Sequence, residues 1–282
     1  MPMNVIYKGS ADLPEIIPVF PLPGALLLPR GQMPLNIFEP RYLEMVDDAI
    51  ASRHRLIGMI QPDLTRSDDE TQPQLYRVGC VGRITQLAET GDGRYLLQLT
   101  GVARFRIEEE LEVATAYRQC RVSYVPFADD FIARRGEEHV NRQALLEALA
   151  AFLKANNLKT DWEGIENAPN EALVNALAMM SPYGAAEKQA LLEAKDLKSR
   201  AEILVALTDF LKANDLKADW EGIENAPNEA LVNALAMMSP YGSAEKQAML
   251  EAPDLKTRAE ILVAVTQIEL AKSNTQGETP VQ

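Results

Sequence analysis

A nearly identical internal duplication constrains this chain more than any other feature of its sequence. Residues 152–208 recur as residues 210–266, at an offset of 210 − 152 = 58 residues and with seven differences. These differences include Asn157/Asp215, Leu191/Met249 and Lys195/Pro253. Copies this similar have not diverged toward separate functions. We therefore expect a distinctive function either in the first 140 residues or in the doubling itself.

The two copies are joined without a linker. Copy one ends in DLKSRAEILVALT, and copy two opens with FLKAND. No proline or glycine interrupts the chain between Ala201 and Asn214, so the pattern predicts one helix shared by both copies. Helical solenoids propagate in this way, because each unit buries its apolar face on its neighbour. Two units are fewer than the roughly three that a free-standing array needs, so we expect the N-terminal part of the chain or a partner chain to cover one side.

The charge and composition of the chain exclude several classes of protein. A net charge of −13 argues against the clustered basic face that binds nucleic acid, and no stretch of about 18 apolar residues could span a membrane. The N-terminus lacks the charged-then-apolar pattern of a signal peptide. Cys80 and Cys120 are too few for a disulfide framework, so we expect both to be reduced and buried in a cytoplasmic protein.

The first 136 residues have the pattern of a small β-rich domain with one helix. Five prolines interrupt the apolar run over residues 16–38, which favours short edge strands. Pro40 suits the first turn of a helix, and the apolar spacing predicts that helix from Pro40 to Ser52. Strands are predicted over residues 56–60, 76–87, 95–106 and 117–124, with a polar loop over 62–74. Short strands with tight turns predict a small twisted barrel or a folded sheet.

The remainder of the chain is predicted to be helical, which makes the fold class α+β. In copy one we expect a helix that begins near Pro169 and ends at Ser181, a short helix over 185–193, and a third from Leu197 with Asp196 as its N-cap. The predicted divisions are a β-rich domain at 1–136, helical copy one at 137–209, helical copy two at 210–270 and a disordered tail at 271–282.

Several stretches of the sequence carry a family resemblance. They are IPVFPLPGALLLPRGQMPLNIFEPRYLEMVDDAI at 17–50, VGCVGRITQ at 78–86, LTGVARFRI at 99–107 and the helical pattern EKQALLEAKDLKSRAEIL. Together they resemble the N-terminal substrate-binding domain of the Lon proteases, including its free-standing bacterial form, over residues 14–270. The resemblance implies a PUA-like, β-rich pseudo-barrel followed by an all-α bundle, and a role in recognising proteins or peptides. Family members carry one helical bundle, whereas this chain carries a second, tandem copy.

The sequence offers no catalytic site. No phosphate-binding loop of the form G-x-x-x-x-G-K-[ST] occurs, and the chain has no room for a Lon-type protease domain. Ser181 and Lys188, which recur in copy two, could be taken for a serine–lysine pair, but serine before proline at a helix end is ordinary turn chemistry. His54 and His139 show no metal-ligand spacing. We therefore expect no catalytic residue, no cofactor and no metal.

The best candidate for a binding surface is the apolar, proline-interrupted segment from Pro21 to Met33, together with the start of the first helix. Such a segment can accept an extended peptide by strand addition, although an apolar run is more often core. Glu39 and Arg41 have two possible roles. Either both bind the end of a peptide, or Glu39 places a favourable negative charge at the N-terminus of the helix and Arg41 forms a local ion pair. The predicted peptide-binding residues are Leu22, Pro23, Leu26, Leu28, Phe38, Glu39, Arg41 and Tyr42.

Two functions fit these expectations. The first is a non-catalytic cytoplasmic module that binds unfolded polypeptide or a protein partner, including a protease-related one, and neither nucleic acid nor membrane. The alternative is an architectural role, in which a natural or engineered duplication extends the bundle and no separate ligand exists. Exchange of a copy between chains would make a homodimer. A cryptic hydrolase that uses Ser181 and Ser239 ranks last.

Overall fold

The computed structural model describes residues 7–63, 73–155, 162–181 and 183–213. The chain divides into two compact units, Met1–Phe210 and Leu211–Gln282. The strands are β1 (Ile16–Pro21), β2 (Gln32–Ile37), β3 (Leu56–Ile60), β4 (Val78–Glu89), β5 (Tyr95–Leu111) and β6 (Gln119–Ser123). The α-helices are α1 (Pro40–Ala51), α2 (Arg142–Ala155), α3 (Trp162–Asn167), α4 (Asn170–Met180), α5 (Ala185–Glu193) and α6 (Leu197–Ala213).

Five strands close into a barrel through one long strand. The sheet order is β2-β5-β4-β3-β1-β6, and β6 pairs a second time, with β5, which closes the ring. The first half of β5 pairs with β2 and β4, and its second half, from Arg106 to Leu111, pairs with β6. Irregular registers at Val81/Gly82 and Ile107/Glu109 accompany this change of partner, because a β-bulge bends a strand and increases its twist.

The alternation of side chains along the ring strands builds two cores. One cluster, which includes Ile17, Val81 and Phe105, draws on all five strands of the ring and fills its interior. The other covers the outer face of the sheet and continues into the helices. All five residues of β3 are buried, because this strand has the barrel interior on one face and helices on the other.

Helix α1 forms where the local sequence predicts it. Pro40 occupies the first turn, where its missing N–H is not needed, and the helix ends at Ala51. Tyr42, Met45 and Val46 lie on its buried face, at the spacing of a single apolar stripe. This helix lies in the connection between β1 and β3, which are parallel neighbours in the ring.

The helices of copy one share the outer core with the sheet. Leu145 of α2, Val174 of α4, Leu191 of α5 and Leu204 of α6 are completely buried in it. Polar contacts between the sheet domain and α4–α5 include Asn175 Nδ2 to the Pro29 carbonyl at 3.0 Å, Lys188 Nζ to the Gly24 carbonyl at 2.8 Å and Gln189 Nε2 to the Val78 carbonyl at 3.1 Å. The β-rich part and copy one therefore form one compact body.

Most of the predicted elements are confirmed, with shifted ends. The helix from Pro40, the strand over 56–60 and the helix over 185–193 are present. Strand β5 continues to Leu111, beyond the predicted end at residue 106, because its charged second half pairs with β6. The short helix α3 was not anticipated from the sequence. Its first residue, Trp162, remains 44% exposed.

Helix α6 passes through the junction of the two copies without a break, as expected for that segment. The rest of copy two and the predicted tail at 271–282 lie outside the described residues. Within the described part of the chain, no helix is both long enough and apolar enough to cross a bilayer. Cys80 and Cys120 are both buried, as expected, and neither forms a disulfide.

Candidate functional site

A cleft of about 610 Å³ opens where the end of β1, the edge strand β2 and the first turn of α1 meet. We name it the proline-rich cleft. It is lined by Phe20, Pro21, Leu22, Pro23, Pro34, Leu35, Asn36, Phe38, Glu39, Arg41, Tyr42, Pro62, Pro73, Ala116, Tyr117 and Arg118. Its prolines carry no backbone N–H, so much of the wall is apolar and lacks donors.

Aromatic side chains give the cleft its apolar surface. The rings of Phe20 and Tyr42 pack at a centroid distance of 4.3 Å. Burial raises the pKa of the Tyr42 phenol above its ordinary value of 10.0, so this group stays neutral. Phe38 is 60% exposed, and the Arg94 guanidinium lies 5.9 Å from its ring centroid. An apolar ring this exposed is available to a ligand.

The charged groups around the cleft are largely paired with each other. Arg41 Nη2 lies 2.8 Å from Glu39 Oε2, and the Arg41 guanidinium also lies 4.5 Å from the Tyr42 ring centroid. Arg118 Nε donates to Glu110 Oε1 at 2.5 Å, and Arg118 Nη1 donates to the Pro73 carbonyl at 2.8 Å. The cleft is therefore amphipathic, and Glu39, the carboxylate among its described lining residues, is paired with Arg41.

Tyr117 closes the cleft on the side of α1. Its hydroxyl donates to Asp48 Oδ2 at 2.7 Å. Burial, and next the hydrogen bond with Asp48, raise the pKa of the Tyr117 phenol well above its usual range. A neutral, hydrogen-bonded tyrosine of this kind is a rigid wall and not a proton-transfer group at neutral pH.

Six of the eight predicted peptide-binding residues line the cleft: Leu22, Pro23, Phe38, Glu39, Arg41 and Tyr42. The other two are core residues, since Leu26 and Leu28 are 2% and 0% exposed. They lie beneath the surface and can offer no contact to a ligand in this structure. An unbroken apolar run gives no local signal that separates its buried residues from its exposed ones.

Sequence reasoning missed the opposite wall of the cleft. Pro62, Pro73, Tyr117 and Arg118 come from later parts of the chain. Arg118 reaches the cleft because β6 pairs with β1, and that pairing brings Gln119 opposite Pro18. Only the closure of the barrel places these residues together, and no spacing in the sequence encodes it.

The predicted ion pair at the start of α1 is present. Glu39 occupies the N-cap position, but its side chain makes no capping hydrogen bond and pairs with Arg41 instead. Both side chains are about half exposed, at 43% and 48%. Glu39 and Arg41 neutralise each other, so neither charge requires a ligand. Both side chains are exposed enough for a ligand to contact them.

Among the described residues that line the cleft there is no Ser, Thr, Cys, Lys or His side chain. Elsewhere in the described part of the chain, Ser181 Oγ is buried without a hydrogen-bond partner, and Lys188 Nζ donates to a backbone carbonyl. These two side chains therefore do not form the hydrogen bond of a serine–lysine pair. Ser239 and Lys246 lie outside the described residues.

Burial makes both thiols unreactive, because it disfavours the thiolate. Burial is the largest cause of the raised pKa of both thiols, and the pKa of Cys120 rises to about 12. Over residues 7–63, 73–155, 162–181 and 183–213, no group of three or more His, Cys, Asp or Glu side chains is arranged to hold a metal ion.

Comparison with known proteins identifies similar chains. The family model described as the ATP-dependent protease La (LON) substrate-binding domain matches residues 16–212, so the match ends three residues into copy two. "Lon protease 2" of Sorangium cellulosum is 29% identical over 207 residues, and "Lon protease 2" of Myxococcus xanthus is 29% identical over 213 residues. These alignments cover 68% and 73% of this chain but 24% of each relative. The chain thus spans about a quarter of the length of these relatives.

A solved structure with a similar fold is the N-terminal domain of a Mycobacterium avium complex Lon protease. The two structures superpose with a TM-score of 0.52 at 21% sequence identity. The alignment covers 69% of this chain and 98% of that domain. At this identity the likeness shows a shared fold, an α+β arrangement of a β-sheet with several helices.

Proposed function

The chain belongs to the Lon substrate-binding domain family, and on that premise we propose that it is a non-catalytic module that binds extended segments of unfolded polypeptide in the proline-rich cleft. The observation that carries the proposal is the exposed ring of Phe38 at the mouth of an apolar cleft with paired charges. As parts of the same proposal, the module acts in the cytoplasm and passes bound segments to a protease partner, since the similar relatives are whole proteases.

The size and chemistry of the cleft fit a short stretch of polypeptide. Its volume of about 610 Å³ falls within the range of about 300–1,000 Å³ in which proteins bind ligands of moderate size. Because Arg41 and Arg118 are already paired with carboxylates, the cleft favours a neutral, apolar segment over a charged one. Aromatic and aliphatic side chains that are exposed only in unfolded proteins have this character.

Capture of side chains is a better fit than addition of a strand. Strand β2 lies at the edge of the sheet, and among the described strands it pairs only with β5. Pro34 stands in the middle of β2, where it interrupts the row of backbone donors that a new strand would need. We therefore expect the side chains of Leu22, Phe38 and Tyr42 to make the contacts that stabilise a bound segment.

The continuity of α6 favours a second candidate, an architectural role. This helix carries the chain through the junction of the copies from Leu197 to Ala213. A chain whose only role is to extend the bundle would have no ligand, and the cleft would be incidental. Binding measurements separate the two candidates.

The test is the affinity of the full chain for a fluorescently labelled, reduced and carboxymethylated protein that cannot refold, measured by anisotropy. We expect saturable binding, weakened about tenfold by Phe38→Ala, because truncating a buried aromatic contact costs more than about 1 kcal/mol. The matched control is Val125→Ala, since Val125 is 73% exposed and does not line the cleft.

If the unsubstituted chain shows no saturable binding, the proposed function is wrong and the architectural role gains support. If binding is present but Phe38→Ala and Val125→Ala both leave it unchanged, the function stands and the proline-rich cleft is the wrong site.

A further inference from the structure

A second cleft, of about 370 Å³, lies where the loops of the barrel meet α4 and the start of α6. We name it the arginine cleft. Among its lining residues are Arg30, Arg104, Arg135, Lys195 and Arg200. None of them lines the proline-rich cleft, so the two clefts are separate features of the fold.

Three of these cations are neutralised by carboxylates in the same wall. Arg104 Nη2 lies 2.8 Å from Asp130 Oδ1, and Arg135 Nε lies 3.7 Å from Asp129 Oδ1. Arg30 pairs with Glu171, and its Nε donates at 3.0 Å. Each of these three cations therefore has a carboxylate partner in the wall of the cleft.

Arg200 is different, because it is buried and no carboxylate of the described residues forms a direct ion pair with it, although Asp130 and Glu171 attract its charge from farther away. The residue is 5% exposed, and its Nε donates to the Leu191 carbonyl at 2.9 Å. Its Nη2 atom is buried and has no hydrogen-bond partner, and no carboxylate oxygen of the described residues lies within 4.0 Å of the guanidinium. Burial, and next the neighbouring Arg104, lower the pKa of Arg200 to about 10. An isolated buried charge is costly unless a group of opposite sign reaches it.

Lys195 is the second cation of the arginine cleft that forms no ion pair within 4.0 Å in the described part of the chain, although the adjacent Asp196 carboxylate interacts with its charge. Lys195 is exposed and lies two residues before Leu197, the first residue of α6. The neighbouring carboxylate of Asp196 accepts the Ser199 backbone N–H at 2.7 Å. Glu138, the remaining acidic side chain of the wall, lies 3.4 Å from His139 Nε2.

We propose that the arginine cleft binds an oxyanion, a carboxylate or a phosphate, held between the buried guanidinium of Arg200 and the exposed ammonium of Lys195. A planar guanidinium suits either group, since it offers several N–H donors to the two oxygens of a carboxylate or a phosphate. This site goes beyond the proposed polypeptide binding and does not depend on it.

Lys195 is also one of the few positions at which the two copies differ. Copy two has Pro253 at the equivalent position, while Arg258 repeats Arg200. The pair of cations is therefore complete in copy one alone, and the site is not duplicated with the repeat.

The test is isothermal titration of the full chain with sodium phosphate, sodium acetate and sodium chloride at matched ionic strength. We expect saturable binding of phosphate or acetate and none of chloride. Lys195→Glu should weaken that binding at least about tenfold, because it replaces an attractive charge by a repulsive one. Substitution of Lys195 avoids the folding defect that a change at the buried Arg200 could cause.

The matched control is Lys198→Glu, which makes the same change of charge three residues away, in the first turn of α6, at a residue paired with Glu202. Binding that only Lys195→Glu weakens supports the site. No saturation with either oxyanion, equal binding of chloride, or equal weakening in both variants would overturn it. If acetate binds and phosphate does not, the next titration compares a peptide that has a free C-terminus with its amidated form. Binding of the free form alone identifies a C-terminal carboxylate as the ligand.

Discussion

Arg104 and Asp130 form a buried, two-point ion pair: Arg104 Nε lies 2.9 Å from Asp130 Oδ2, and Arg104 Nη2 lies 2.8 Å from Asp130 Oδ1. The remaining nitrogen, Nη1, donates to the carbonyls of Leu192 and Ala194 at the end of α5, at 3.1 and 2.5 Å. One side chain of β5 thus links the barrel, the loop that follows β6 and a helix of copy one. The guanidinium also lies at the C-terminal end of α5, where the negative end of the helix dipole stabilises a positive charge.

Removal of the carboxylate from this pair should destabilise the protein strongly. Asp130→Ala leaves the guanidinium of Arg104 buried without its counterion, which typically costs about 3–5 kcal/mol. The control is Asp129→Ala, which removes an exposed carboxylate 3.7 Å from Arg135 and should cost less than about 1 kcal/mol. Urea unfolding of both variants gives the two values. Equal, small losses would show that Arg104 finds water or another acceptor.

Gly101 should not tolerate a side chain, because the backbone of another segment occupies the space. A Cβ at this position would lie 2.0 Å from the Leu28 carbonyl oxygen. The same approach lets Gly101 exchange backbone hydrogen bonds with the Arg30–Gly31 turn, at 2.7 and 2.8 Å. We expect Gly101→Ala to lower the free energy of unfolding by at least about 1–3 kcal/mol.

Gly9→Ala is the control for that substitution. No atom lies within 4 Å of a Cβ placed there, and the backbone of Gly9 is extended, so an alanine fits without strain. Thermal unfolding of both variants checks the prediction. A normal transition midpoint for Gly101→Ala would mean that the Leu28–Arg30 segment can move away from β5.

The N-cap of α6 should make stability depend on acidic pH. Hydrogen bonds from Ser199, first from its side chain and then from its backbone N–H, hold the pKa of Asp196 below its ordinary value of 3.8. Since the folded-state pKa is the lower one, the stabilisation is complete above the unfolded-state value and is lost as the pH falls through the folded-state value.

Asp196→Asn isolates this contribution. Asparagine is also a good N-cap residue, but it does not titrate. Between about pH 5 and pH 2, the free energy of unfolding should therefore fall more steeply for the unsubstituted protein than for the variant. Urea titrations at several pH values measure the two slopes, and parallel slopes would contradict the role of Asp196.

Either copy of the repeat should complete the fold by itself. The copy-one side chains that hydrogen-bond to the sheet domain are Glu171, Asn175, Lys188 and Gln189, and each is identical 58 residues later, as Glu229, Asn233, Lys246 and Gln247. Among the seven differences, the one at a completely buried side chain of the described part is Leu191/Met249. Exchange of Leu for Met conserves volume and usually costs less than about 1.5 kcal/mol.

Two deletions make a matched pair. Removal of residues 210–267 keeps copy one, and removal of residues 152–209 joins copy two to the sheet domain at the same point of the repeat. We expect both chains to fold, with free energies of unfolding within about 1.5 kcal/mol of each other. Circular dichroism and urea unfolding test this. If the chain without residues 210–267 folds and the chain without residues 152–209 does not, the seven differences affect stability more than their chemistry suggests.

The candidate site was partly predictable from the sequence. Phe38, Glu39, Arg41 and Tyr42 follow one another at the start of a helix whose first turn Pro40 marks, and all four line the proline-rich cleft. Their positions depend on local structure, which proline and the apolar spacing specify. The sequence could not separate Leu22 from Leu28, because one remains at the cleft and the other is buried by contacts made elsewhere in the chain.

The sequence by itself determined the elements whose signals are local: helix α1, the doubly buried strand β3, the short helix α5 and the unbroken helix through the junction of the copies. The tertiary structure decided what depends on contacts between distant segments. The second pairing of β6 with β5 closes the barrel, and that closure brings Arg118 to the cleft. The burial of Arg200 without a direct ion pair among the described residues likewise arises only when α6 packs on the rest of the fold. Backbone preference and spacing act over a few residues, whereas closure and burial depend on which surfaces meet once the chain has folded.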